Sequence, residues 1–282
     1  MENQKNNAAS KVWFITGASR GFGRIWTEAA LERGDKVAAT ARNLDSIADL
    51  EEKYPDRVLT LELDVIDSDQ VETTVKQAYQ HFGKLDIVLN NAGYSLVSTI
   101  EEASKDEIKM LYDTNILGAV SVIQAAIPLL RKQGYGHILG TSSNLGHISN
   151  PLIGYYCSSK WAFEAIYESL AMEIEQFGID VTIIEPGAYD TDFGSKQSLK
   201  FAEQIAVYDE MKSKIMKGLQ SMEKGDPNAT PQAIFKVVDA KKPPRRLFLG
   251  ANNLAQVKEV YSKRLQEWEE WNHVAKAAQS VN

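Results

Sequence analysis

Short apolar runs and amphipathic stretches alternate along most of the chain, and this alternation limits its possible folds more than any other feature. Lys11–Thr16 is an apolar run of strand length that stops at Gly17. Gly23–Arg33 then carries apolar residues at helical spacing and closes at Gly34, placed as a C-cap glycine. Val37–Thr40, Val58–Leu63 and Ile87–Leu89 read as further strands. Between them lie helices at Leu44–Lys53, with Asp45 as its cap, and Ser68–Phe82. The second half continues with one or two helices in Ile108–Leu130, a strand at His137–Thr141, a long helix at Tyr156–Phe177 and a strand at Val181–Ile184. That strand breaks at Pro186-Gly187. Thr230–Ala240 is another helix and Leu247–Leu249 a last short strand. The pattern predicts an α/β fold of the Rossmann type: a doubly wound parallel sheet in three αβα layers.

No composition break divides residues 11–250, so they are expected to form a single domain. Residues 1–10 are a polar, flexible tail. A charged stretch at about 190–228 reads as a substrate lid or as an ordinary surface insertion. Residues 251–282 form a helical C-terminal extension. In it Trp268 and Trp271 are expected to anchor packing, within the subunit or against a second one.

The net charge of −7 argues against nucleic acid or an anionic membrane as the main partner. The single cysteine, Cys157, rules out an internal disulfide and any multi-cysteine metal site, and the four histidines have no metal-binding spacing. No metal is therefore expected. Residues 1–10 lack an apolar signal-peptide core, and Ile116–Leu130 is too short and too interrupted to span a bilayer. These features suit a cytoplasmic protein.

The cluster Thr16-Gly17-Ala18-Ser19-Arg20-Gly21-Phe22-Gly23 joins the first strand to the first helix. Glycines there allow a tight turn and let a pyrophosphate approach the backbone at a helix N-terminus. The second strand ends Ala39-Thr40-Ala41-Arg42, without the acid that would hold the 2′-hydroxyl of NAD. Arg42 and Arg20 suit a 2′-phosphate instead, so NADP(H) is preferred over NAD(H). Tyr156 and Lys160 are four apart on the long helix and share a face. A neighbouring ammonium is expected to lower the phenol's pKa from its reference of ~10.

With these residues in place the sequence closely resembles the short-chain dehydrogenase/reductase family. Thr16, Gly17, Gly21 and Gly23 match its TGxxxGxG motif, Asn90-Asn91-Ala92-Gly93 its NNAG motif, and Tyr156 with Lys160 its YxxxK pair. Ser143 stands where the family keeps its catalytic serine, and Asn115 matches the tetrad asparagine. Pro186-Gly187 with Thr191 matches the segment that embraces the nicotinamide. The resemblance implies reversible hydride transfer between NAD(P)H and a carbonyl or alcohol. Tyr156 would be the acid/base, Ser143 would hold the substrate oxygen, Lys160 would bind the ribose and tune Tyr156, and Asn115 would anchor a relay water. Gly17, Ser19, Arg20, Gly21, Phe22, Gly23 and Arg42 would contact the cofactor, as would Asp64-Val65 beside adenine. Asn91, Ala92 and Gly93 would line the adenosine ribose, and Pro186, Gly187, Tyr189 and Thr191 would face the nicotinamide. Asn90 is expected to bridge strands. Ser143 with Leu145, Leu152, Tyr155, Tyr189 and Phe193 would make an apolar, aromatic substrate pocket, while His147 is expected to be a loop residue without a ligand role. Arg246–Gly250 and the helical tail resemble, more loosely, a bacterial-type subgroup.

The leading expectation is an NADPH-dependent ketoreductase or carbonyl reductase for a hydrophobic ketone or aldehyde. Two alternatives stay open: an NAD(P)-dependent alcohol, steroid or retinol-type dehydrogenase, and a non-catalytic dinucleotide-binding regulator. The family's habit implies a homo-oligomer, dimer or tetramer.

Overall fold

In the computed structural model the residues described are 10–192, 198–220 and 222–279. The expected flexible tail, apart from Ser10, lies outside them. Seven parallel strands form the main sheet: β1 (Val12–Ile15), β2 (Lys36–Ala41), β3 (Val58–Glu62), β4 (Ile87–Asn90), β6 (Gly136–Thr141), β7 (Ile179–Pro186) and β9 (Arg246–Leu249). Their order is β3-β2-β1-β4-β6-β7-β9. The chain steps outward from β1 to β3 and then returns to the other side of β1. The carboxyl ends of β1 and β4 therefore flank a topological switch point, where such sheets open a crevice.

Alternation along β1 explains the layers. Val12 and Phe14 point to one face, into a core shared with α3 (Ser68–Phe82), α5 (Gly118–Gln133) and α6 (Gly154–Ile174). Trp13 and Ile15 point to the other, against α1 (Gly21–Arg33), α2 (Asp49–Lys53) and α8 (Pro231–Val238). The fold class is the one the alternation predicts.

Several elements differ from the sequence reading. Leu44–Lys53 is not one helix: Leu44–Ser46 is a 3₁₀ turn, and α2 begins at Asp49. The capping acceptor there is Asn43, whose side chain takes the Asp45 N–H at 3.0 Å, so Asp45 is not the cap. Two strands went unforeseen, β5 (Ser95–Val97) and β8 (Leu199–Phe201), which pair in parallel. Three-residue strands carry too little periodicity to read. α4 (Lys105–Tyr112) runs into a π turn at Asp113–Leu117 and then α5. The whole run Lys105–Gln133 is long and apolar enough to cross a membrane. Here its apolar residues Ala119, Val122, Ala126 and Leu130 pack on the sheet.

Much of the expected lid is tied down. β8 pairs with β5, and α7 (Asp209–Gln220) reaches the loop after β5 through the Lys212–Glu102 ion pair. The Ile205 N–H donates to Glu102 Oε1 at 2.7 Å. The C-terminal helix α9 (Asn253–Ala278) packs at its start and is exposed from Leu265 onward. Trp268 and Trp271 are 60% and 64% exposed, so neither anchors packing within the subunit. Arg264 joins α9 to α6, its guanidinium 4.8 Å from the Trp161 ring centroid.

Candidate active site

The glycine loop leaves β1 at the switch point and enters α1. Gly17 has φ +69°, a left-handed conformation that favours glycine. A Cβ on Gly23 would lie 2.2 Å from the Gly17 carbonyl oxygen and 2.4 Å from Asn91 Nδ2. The motif's spacing therefore reflects a close backbone crossing. The first turn of α1 has no side-chain cap and no acidic residue, which leaves its N–H groups and positive end suited to an anion.

β4 braces this loop. Thr16 is buried, and its Oγ1 accepts the N–H groups of Asn91 at 2.9 Å and Ala92 at 3.1 Å. Asn91 Nδ2 donates to the carbonyls of Thr16 and Gly17 at 3.1 and 3.2 Å. The Asn91 side chain thus braces the glycine loop. Asn90 bridges β4 to helices and not to a strand: its Nδ2 donates to Tyr167 Oη on α6 at 2.8 Å and to the Ala119 carbonyl on α5 at 3.3 Å. Ala92 and Gly93 remain at the crevice, half-buried.

The loop is also tied to β2, because the Ala18 N–H donates to the Thr40 carbonyl at 2.9 Å. This brings Arg20 and Arg42 together. Burial, and then the charge of Arg42, lower the pKa of Arg20. Arg20 Nε donates to Ser198 Oγ at 3.0 Å, joining the glycine loop to the segment before β8. Ser19 is half-buried in the same loop. Phe22 turns away, stacking on Trp26 at 4.9 Å and meeting Tyr189 edge-on at 5.3 Å. Asp64 and Val65 follow β3: the Asp64 N–H donates to Gln70 Oε1 at 2.7 Å, and buried Val65 packs against Gly118.

On the other side of the switch point α6 presents Tyr156 and Lys160, both buried. Tyr156 is hydrogen-bonded to the Ser143 side chain. Ser143 lies just past β6, where its Oγ accepts the Leu145 N–H at 3.2 Å and donates to the Pro186 carbonyl at 3.4 Å. Lys160 Nζ donates to the Thr141 carbonyl at 2.8 Å and stands 5.7 Å from the Tyr156 ring centroid. Burial pushes the Tyr156 phenol upward, with the Ser143 bond acting against it. Burial likewise lowers Lys160 to about 8. The expected depressed phenol is not found: one N–H of the Lys160 ammonium donates to the Thr141 carbonyl, and burial of the phenol outweighs its hydrogen bond to Ser143.

Asn115 sits in the π turn, a bulge that recurs at functional sites. Its Oδ1 accepts the Tyr94 N–H at 3.0 Å, and its Nδ2 donates to the Tyr94 carbonyl and to Ser159 Oγ. A Cβ on Gly93 would lie 3.1 Å from Asn115 Oδ1 and 3.8 Å from Lys160 Nζ, so the three meet at one point. Pro186 ends β7, and the Gly187 N–H donates to the Leu249 carbonyl at 3.0 Å. Thr191 reaches over the glycine loop, 3.8 Å from a Cβ on Gly21.

The residues expected around the substrate have separate surroundings. Leu152, buried with φ +69°, lines a cavity of about 380 Å³ with Val97, Phe201, Ala202 and Met216. Tyr155 instead donates to the Ile100 carbonyl at 2.9 Å, and Tyr189 packs on Phe22. Leu145 is half-buried beside Ser143, and Phe193 lies outside the described residues. Sequence reasoning did not place Phe201, Ala202 and Met216 beside Leu152, because the pairing of β5 with β8 and the Lys212–Glu102 ion pair on α7 bring them there.

Residues 11–201 match the profile of the short chain dehydrogenase family. The chain belongs to this family. As a short-chain dehydrogenase/reductase it is an NAD(P)-dependent oxidoreductase. Oxidoreductase BOA17 of Botryotinia fuckeliana is 36% identical over 93% of this chain and 97% of that protein. A 3-ketodihydrosphingosine reductase of Bacteroides thetaiotaomicron is 32% identical over 85% and 88%. A short-chain dehydrogenase from Streptomyces avermitilis superposes with a TM-score of 0.89 at 33% identity, covering 99% of this chain and all of that one.

Proposed function

We propose that this oxidoreductase is an NADPH-dependent reductase of hydrophobic ketones or aldehydes, with Asn115, Ser143, Tyr156 and Lys160 as its catalytic set. The observation that carries this reading is the Tyr156 hydroxyl, buried and hydrogen-bonded to Ser143 beside the Lys160 ammonium. The uncapped start of α1 and the close approach at Gly23 fit a pyrophosphate, and Arg20 with Arg42 fits a 2′-phosphate. The nicotinamide supplies the hydride when bound.

The residues would divide the work as follows. Ser143 donates to the carbonyl oxygen and orients it. Tyr156 Oη, kept protonated by its burial, gives its proton to that oxygen as charge develops. Lys160 holds the ribose and stabilises the phenolate that remains. Asn115 fixes the backbone at Tyr94, where the cofactor crevice meets the cavity. The cavity lining combines Val97, Leu152, Phe201 and Met216 with Ser98, Glu102, Asp209 and Lys212, and its apolar side would take an apolar substituent on the carbonyl. The name of the Bacteroides relative, a ketone reductase, agrees with this direction.

The test is turnover of NADPH and NADH against aryl ketones, aldehydes, keto esters and long-chain ketones. Turnover preferring NADPH is expected, and Tyr156→Phe should lower it ~10²–10⁴-fold while NADPH binding is retained. Unimpaired turnover by that variant would overturn the role given to Tyr156. We also infer a homo-oligomer, supported by the exposed Leu265, Trp268 and Trp271 on α9. A monomeric mass by light scattering would refute it.

A further inference from the structure

Behind the Ser143 loop lies a buried charge cluster that the proposed reaction does not use. Glu164 on α6 and Glu185 on β7 are both buried. Arg246 on β9 pairs with Glu164, with Glu185 Oε1 at 2.7 Å and with Glu168 Oε1 at 2.8 Å. His147, in the loop after β6, brings Nε2 to 3.1 Å from Glu185 Oε1. α9 closes the outer side: Tyr261 Oη lies 3.3 Å from His147 Nδ1, and Arg264 donates to the His147 carbonyl at 2.8 Å. Gly146 rests on Glu164, where a Cβ would come within 2.7 Å of its Cγ. The cluster therefore touches the loop that carries Ser143 and the strand that ends at Pro186.

Its charge also reaches Lys160, one helical turn from Glu164. Tyr156, Lys160 and Glu164 follow one another at four-residue intervals on α6, and all three are buried. Burial lowers Lys160, and the charge of Glu164 opposes that lowering. Glu164 is itself pushed up to about 7, first by burial and then by Glu185. Two buried carboxylates facing one guanidinium do not both hold a full charge cheaply.

We propose that Glu164 is the counter-charge of Lys160, a positioning residue whose own ionisation is set by Glu185, Arg246 and His147. This rests on the reading of Lys160 as the group that holds the ribose and stabilises the phenolate. When Glu164 is ionised, the lysine keeps its proton and its bond to Thr141. When Glu164 is neutral, burial alone acts on the lysine, and the ammonium is lost more readily. Because α9 holds His147, its seating on the body bears on the same balance.

The test reads Lys160 directly. Protein labelled with [ε-¹³C]lysine is titrated by NMR, and Lys160→Met assigns the resonance. The wild-type midpoint should lie near 8, and Glu164→Gln should lower it by ~0.5 pH unit or more. Glu185→Gln should raise it, because Glu164 then ionises more easily. An unchanged or higher midpoint in Glu164→Gln overturns the proposal. If Glu164→Gln does not fold, Glu185→Gln decides: a rise supports the proposal, and a fall or no change overturns it. Neither cofactor nor turnover enters this readout. A protein with the expected midpoints but no carbonyl reduction would refute the proposed function alone.

Discussion

Replacing Thr16 by valine tests whether the glycine loop is held by a single hydroxyl. Thr16 is buried, and its Oγ1 accepts two backbone N–H groups, from Asn91 and Ala92. Valine has nearly the same shape, so no cavity opens and the whole cost is electrostatic. A fully buried N–H left without a partner costs ~1–3 kcal/mol; these two are part-buried, so each should cost ~1–2 and the pair ~2–4 kcal/mol. At ~2 °C per kcal/mol for a domain of this size, Tm should fall by ~4–8 °C. Thr16→Ser keeps the hydroxyl and loses one methyl, about 1 kcal/mol. Urea and thermal unfolding of the three proteins give the comparison. NADPH titration by fluorescence gives a second readout, because the same amides fix the loop that meets the pyrophosphate. Equal stability of the valine and serine variants, within ~0.5 kcal/mol, would refute the reasoning.

Three further outcomes are expected. Arg20→Ala with Arg42→Ala should raise the KM for NADPH ~10-fold or more and leave that for NADH nearly unchanged, with the difference shrinking as salt is added; equal losses for both cofactors would remove the 2′-phosphate assignment. His137 is buried on β6 with Thr182 Oγ1 at 2.9 Å from its Nε2, and burial lowers it to about 4. Its folded pKa lies below the unfolded value of ~6.5, so folding is increasingly disfavoured as pH falls from ~6.5 toward 4, by about 3 kcal/mol in total. Urea unfolding at pH 7.5 and 4.5 should show that loss in the wild type and much less of it in His137→Asn. Gly23→Ala should abolish dinucleotide binding, read by fluorescence titration, since its Cβ would lie 2.2 Å from the Gly17 carbonyl oxygen; retained affinity would show that the loop can open.

The glycine loop and the Tyr156–Lys160 pair were legible because their chemistry is local. A tight turn between β1 and α1 requires glycine at fixed offsets, and two side chains four apart on one helix must share a face. Asn91's bracing role was hidden for the opposite reason. Its motif marks the position, but only the register of β1 against β4 sends its side chain to the carbonyls of Thr16 and Gly17. The cavity beside β5 was the least legible. Phe201 reaches it because β8 pairs with β5, Leu152 through its carbonyl's bond from the Ser98 N–H, and Met216 through α7, and the two strands are too short to announce themselves.

By itself the sequence determined the alternation of strands and helices, hence the layered sheet, and the groups available for chemistry. These follow from periodicity and from spacing within single elements. The protonation of those groups was decided by the tertiary structure. The neighbouring ammonium suggested a lowered Tyr156, yet burial by the assembled fold raises the phenol and holds Lys160 at about 8. Nor does any local pattern join Glu164, Glu185, Arg246 and His147. They come from α6, β7, β9 and the loop after β6, and desolvation and long-range charge arise only once those elements have packed.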